Sequence, residues 1–274
     1  MTTRANILAA LAVLALNGCG AEPPAAPADA LPPRDDTAGP AAFEFDLGDA
    51  RALLANPNRR EGARQRDPLS KPEVILGLLD LQPGQRVIDI LGGAGYYVDI
   101  LSGVVGPQGD VILHNNNQYH GYFRKIVNQQ YVENPRPGIS YLKSEISDLN
   151  LEPESLDAVL LVNSYHDLYN FDPQRGWSKT DVPEFFSQLR AALRPGGKLL
   201  VVDHSALPGT GSTAAQALHR IDEEFAQQDV TANGFRLVAR SDALRNPQDD
   251  RTDIVSDAEF RGKSDRFILL FEKP

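Results

Sequence analysis

The sequence is poor in the features that mark several protein classes. It holds one cysteine in 274 residues, so no intramolecular disulfide forms and no cage of cysteines can hold zinc. Its one long apolar run, Ile7 to Leu16, falls short of the roughly 20 residues an ordinary spanning helix needs. Positive charge is in deficit: 27 Lys and Arg face 37 Asp and Glu, for a net charge of -10. That balance excludes a general electrostatic footprint for nucleic acid. The five histidines show no HExxH or HxH spacing, so no sequence motif marks a metal site and none is expected. No G-x-S-x-G elbow of a serine hydrolase occurs. Gly209 to Thr213 is a glycine turn without the lysine of a P-loop, and it reads as a loop and helix start. There is no internal repeat.

What is present begins at the N-terminus. Arg4, the apolar run and the small residues after it have the form of an export signal. Leu16-Asn17-Gly18-Cys19 resembles a bacterial lipobox, in which cleavage before the cysteine leaves its thiol to carry a diacylglycerol. The resemblance implies a signal peptide over 1–18, lipidation at Cys19, and an exported protein anchored to a membrane and facing the periplasm. A plain signal peptide with an incidental cysteine is the alternative. Residues 19–42 are dominated by Pro and Ala, lack apolar periodicity and read as a semi-rigid tether. Residues 43–274 then suit one folded domain.

Within that domain, 43–82 reads as mostly helical. Arg59, Arg60, Arg64 and Arg66 form a basic cluster there, read as a solvated face with anion binding as the alternative. From Pro83 the pattern alternates. Strands are expected at 86–91, 111–114, 139–143, 157–162, 198–203, 235–240 and 265–272, and helices at 96–105, 118–132, 181–193 and 212–232. Strand–helix alternation predicts a Rossmann-like, seven-stranded, mostly parallel α/β sheet with helices on both faces. The last two strands have no helix between them, so the final strand is expected to run antiparallel.

A glycine-rich turn directly after the first strand is where such folds approach a ligand, because glycine lets the backbone come close and the next helix offers free N–H groups. Here it is Asp89-Ile90-Leu91-Gly92-Gly93-Ala94-Gly95. With the acid Glu145 after the third strand, Ser155-Leu156-Asp157-Ala158-Val159 opening the fourth, and Leu193-Arg194-Pro195-Gly196-Gly197 before the fifth, the chain resembles a class I S-adenosylmethionine-dependent methyltransferase. Gly95-Tyr96-Tyr97, Asp203-His204, the run from Leu218 to Asp222 and the ending from Asp265 to Pro274 resemble more narrowly a group of exported bacterial methyltransferase-like proteins. The resemblance implies S-adenosylmethionine as cofactor, held by Asp89, Gly92, Gly93, Gly95, Tyr97, Asn115, Glu145 and Asn163, and a small-molecule acceptor. Two positions depart from the family pattern. Leu91 stands at the first glycine and would crowd the loop unless the loop is reshaped. Asn115 stands at the acid that binds the ribose hydroxyls. Those departures support the alternative reading, a non-catalytic binding module.

Groups acting on an acceptor belong at the C-terminal ends of the strands. His166 after the fourth strand is the first candidate for a general base, oriented by Asp167 or a nearby acid; a hydrogen-bonded packing histidine is the alternative. Asp203-His204 after the fifth strand form a second candidate acid/base pair, against a simple turn cap. His219, Arg220 and Asp222 are expected on one helix, with His219 and Asp222 on one face.

Overall fold

The computed structural model describes residues 47–57, 59–257 and 261–274. The expected signal peptide 1–18, Cys19 and the tether 19–42 lie outside the described residues. Strand β1 (Arg86–Ile90) is buried at every position, as a central strand covered on both faces must be. Strands β2 (Asp110–Asn115) and β4 (Leu156–Val162) flank it in parallel. Beyond them lie β3 (Ile139–Lys143) and β5 (Leu193–His204), also parallel. Strand β7 (Arg266–Glu272) runs antiparallel between β5 and β6 (Arg236–Ser241). The order is β3-β2-β1-β4-β5-β7-β6.

The antiparallel strand is therefore one place in from the edge. Residue type explains the swap. β7 is an almost continuous buried apolar run, whereas β6 alternates half-buried and exposed residues, which an edge tolerates.

Side-chain alternation splits the core in two. Ile88, Ile90, Val159, Leu161, Leu199 and Val201 point to a face covered by α7 (Val182–Ala192) and α9 (Glu223–Ala232). Val87, Val111, Leu113, Ala158, Leu160 and Val202 point to the face of α4 (Pro72–Leu79) and α5 (Val98–Val105). On the same side, α6 (Asn117–Val127) follows β2, with Asn116 capping it by accepting from the Tyr119 N–H at 2.9 Å.

Two helical expectations change. The segment before α4 is broken into α1 (Leu47–Leu54), α2 (Glu61–Arg64) and α3 (Asp67–Ser70), with prolines in the first turns of α3 and α4 and Lys71 left-handed between them. The expected helix over 212–232 is interrupted. After α8 (Ala215–Leu218), His219 adopts a left-handed backbone (φ 53°), and Asp222 caps α9 by accepting from the Glu224 N–H. His219, Arg220 and Asp222 thus do not share a helix face.

Candidate functional site

The turn after β1 is left-handed at Leu91 (φ 52°), Gly93 (φ 62°) and Gly95 (φ 74°). A Cβ at Gly92 would overlap the Asp89 carboxylate, and one at Gly95 would overlap the Tyr131 hydroxyl, so packing requires glycine at both and torsion requires it also at Gly95. Leu91 tolerates its torsion because its side chain is 2% exposed and belongs to the same buried cluster as Ile90 and Ile112. The loop is held from the neighbouring strand. Asn115 accepts from the Gly93 N–H and donates to the Gly93 carbonyl, both at 2.9 Å. Asn115 is fully buried, with its amide O and N both engaged in this staple. The structure thus gives it a loop-positioning task where ribose binding was expected.

Over this loop lies a cavity of about 230 Å3, lined by Asp89, Leu91, Gly92, Gly93, Ala94, Tyr96, Tyr97, Tyr119, Phe123, Val162, Asn163 and Arg66. Of the expected cofactor residues, Asp89, Gly92, Gly93, Tyr97 and Asn163 come together here, and Gly95 shapes the same turn. Burial pushes the Asp89 carboxyl up to about 7, against the pull of Arg66. Asn163 is left-handed (φ 56°), and its buried Oδ1 has no hydrogen-bond partner. Glu145 lines a separate cavity of about 340 Å3 with Asn116, Asn117, Ile146 and Trp177, and accepts from Asn117.

The basic cluster divides. Arg59 forms a two-pronged pair with Asp67 at 2.7 and 2.8 Å. Arg60 donates to the Ala94 carbonyl of the turn at 2.6 Å. Arg66 lies 4.3 Å above the Tyr96 ring at the cavity wall. Sequence reasoning missed Arg66, Tyr119 and Phe123 as cavity residues. The four-residue spacing of Tyr119 and Phe123 on α6 is the one signal that could have paired them.

Beside the cavity, the ends of β4 and β5 assemble a polar cluster. His166 and Asp167 sit in a 3-10 turn, Tyr165–Tyr169. His166 Nδ1 lies 2.8 Å from Asp203 Oδ1, and the His166 backbone N–H donates to Asp203 Oδ2 at 2.7 Å. The orienting acid is therefore Asp203, from the next strand. Asp167 lies on the other side, its Oδ1 3.5 Å from His166 Nε2, while its Oδ2 accepts from the Tyr119 hydroxyl at 2.7 Å. Burial alone would lower the His166 pKa, but the charges of Asp203 and Asp167 outweigh it and carry the ring up to about 9. His219, which the sequence associated with Arg220 and Asp222, instead brings Nδ1 to 3.3 Å from His166 Nε2. His204 turns to Ser264 at 2.7 Å, and burial lowers it to about 3, so that ring is neutral. Arg220 is fully buried in a pair with Asp249.

Comparison with known proteins agrees with this fold. Residues 89–201, from the β1 acid to the middle of β5, match a family model described as a methyltransferase domain. The ubiquinone/menaquinone biosynthesis C-methyltransferase UbiE of Vibrio parahaemolyticus is 25% identical over 184 residues, 65% of this chain and 65% of that protein. The match thus spans a little under two thirds of that relative. UbiE of Yersinia pestis is 26% identical over 65% of this chain and 66% of its own. Among solved structures, a SAM-dependent methyltransferase from Aquifex aeolicus superposes with a TM-score of 0.54 at 20% identity, covering 84% of this chain and all of that one. The [4+2]-cyclase SpnF superposes with 0.55 at 15% identity, covering 83% and 94%. Residues 89–201 thus resemble a methyltransferase domain, and the whole sheet has the Rossmann-like fold of the solved structures it superposes on.

Proposed function

We propose that the protein transfers a methyl group from S-adenosylmethionine to a small-molecule acceptor. The observation that carries this reading is the chemistry of the cavity over residues 91–95. Two residues with buried acceptors, Asp89 and Asn163, whose Oδ1 has no hydrogen-bond partner, line a space walled by Tyr96, Tyr97, Tyr119 and Phe123. Acceptors and aromatic faces suit a cationic ligand, and the cofactor's ammonium and sulfonium are cations. Arg66 at the rim suits its carboxylate. The residues present therefore fit the methionine half, and Glu145 with Asn117 in the separate second cavity offers polar groups suited to a purine and sugar. When bound, S-adenosylmethionine supplies an electrophilic methyl group; the chain aligns the acceptor with it and excludes water.

On the acceptor side, Asp203 fixes the His166 ring and Asp167 flanks it. The charges of Asp203 and Asp167, which carry the His166 pKa up to about 9, favour positive charge at this end of the strands. His204, bound to Ser264, supports Asp203 from behind through its backbone N–H at 2.7 Å. From the same 3-10 turn an open groove of about 780 Å3 runs along Leu168, Tyr169, Phe171, Val182 and Pro183, and it suits an apolar acceptor body. Export and membrane anchoring through Cys19 belong to the same reading and rest on the lipobox-like run.

A second reading, ligand binding without transfer, rests on Asn115. An amide stands at the ribose position where the family pattern has a carboxylate, and its O and N are both engaged by Gly93. The fold is shared by proteins described as a methyltransferase and as a [4+2]-cyclase, so the fold alone does not choose. Calorimetric titration of the full chain with S-adenosylmethionine and S-adenosylhomocysteine decides. Binding that Asp89→Ala abolishes is expected; no heat at millimolar ligand overturns both readings. Binding without conversion of any quinone, phenol or amine offered would favour the second. For the anchor, Cys19→Ser is expected to release the protein from membranes, and an unchanged distribution overturns lipidation.

A further inference from the structure

We infer that His166, Asp167 and His219 form a binding site for a divalent first-row transition cation, with zinc(II) as the reference ion. The three offer His166 Nε2, His219 Nδ1 and Asp167 Oδ1, separated by 3.3 Å between the nitrogens and by 3.5 and 3.9 Å from each nitrogen to the oxygen. Ligands placed about 2.1 Å from a tetrahedral ion sit about 3.4 Å apart, so the three atoms already outline one face of such a site.

Four further observations point to an ion. Asp167 Oδ1 is buried without a hydrogen-bond partner, although its other oxygen is held by Tyr119. A hydrogen bond between the two rings would satisfy both nitrogens and still leave that oxygen orphaned. His166 Nδ1 is taken by Asp203, the carboxylate–histidine arrangement that fixes a ligating ring and leaves Nε2 free. Among the described residues neither Asp167 nor Asp203 pairs with a lysine or arginine, so two buried carboxylates face two imidazoles, and a divalent cation balances them. Finally, His219 reaches the cluster from a left-handed backbone at the break between α8 and α9, which brings its Nδ1 to His166 Nε2. Two imidazoles and one carboxylate select zinc, iron(II), cobalt(II) or nickel(II) over magnesium or calcium. The His219 side chain is 36% exposed, which leaves the solvent side open for water or an acceptor oxygen. The site needs no bound cofactor, so it stands or falls apart from the transfer reading.

The test uses the tag-free full chain, stripped with a chelator and titrated with zinc(II) and, separately, magnesium(II) by calorimetry, with elemental analysis of stoichiometry. One zinc per chain at micromolar affinity or better is expected, with magnesium at least 100-fold weaker. His219→Ala and the near-isosteric Asp167→Asn should each weaken zinc at least 10-fold, with the thermal unfolding transition retained. His120→Ala, on a ring bonded to Tyr141, should change nothing. With cobalt(II), visible absorption bands should appear and be lost in His219→Ala. No stoichiometric zinc, or affinity kept within 10-fold in His219→Ala and Asp167→Asn, overturns the site.

Discussion

Asp89 sets stability against binding at a single side chain. Burial raises its pKa to about 7, well above the ordinary carboxylate value. Between about pH 4 and 7 the folded chain therefore holds a proton that the unfolded chain has lost, so stability falls as pH rises through that window. A shift of this size corresponds to on the order of 4 kcal/mol, and Asp89→Asn removes it. In urea unfolding, the variant should gain most over the parent at pH 8 and little at pH 4; an equal gain at both would refute the assignment. The same variant should bind S-adenosylmethionine at least 10-fold more weakly if, as proposed, the carboxylate meets the cofactor's cation. Leu91 shows the opposite balance. Its left-handed torsion costs about 1–2 kcal/mol, whereas losing a buried leucine side chain costs about 2–5 kcal/mol. Leu91→Gly, which installs the family's residue, should lower stability by about 1–3 kcal/mol by the same assay. The glycines, Asp89 and His166 were legible from type and position. Asp203 as the partner of His166 was not, because the two lie 37 residues apart and meet only when β4 and β5 pair.

Elements place these groups by how they end. α6 starts where Asn116 caps it, which sets Tyr119 and Phe123 over the turn and brings the Tyr119 hydroxyl to Asp167. The break between α8 and α9 delivers His219 to His166 and buries Arg220. That guanidinium is matched by both Asp249 oxygens at 2.8 and 3.0 Å and donates to the carbonyls of Ser205 and Asp253, so it ties the loop after β5 to the segment before β7. Breaking a buried pair leaves an uncompensated charge, worth about 3–5 kcal/mol. Asp249→Asn should lower the denaturant midpoint accordingly; a loss under 1 kcal/mol would mean that the loop relaxes to solvate Arg220. Sequence periodicity foresaw one helix over 212–232, since polar and apolar residues there fit a 3.6 repeat well enough. The left-handed turn at His219 leaves little signal in residue type, because non-glycine residues of every kind are uncommon there, although histidine is enriched among them.

At the scale of the molecule, ligand and fold are coupled by mass action. S-adenosylmethionine at about 100 times its dissociation constant should stabilise the domain by about 2.7 kcal/mol. The thermal shift should be larger at pH 8 than at pH 5, because Asp89 is ionised only at the higher pH; a shift independent of pH would place the cation elsewhere. The sequence by itself determined the α/β class, the seven strands and the glycine-rich turn after β1, because strand alternation, helical periodicity and glycine torsion are local properties that residue type encodes. It also carries the lipobox-like run at Cys19, a matter of address rather than fold. Tertiary structure alone decided that β7 lies inside β6, that Asn115 staples the turn, and that His166, Asp167, Asp203 and His219 meet. Those outcomes depend on which distant segments pack together, and packing is set by the whole buried core rather than by any one stretch of chain.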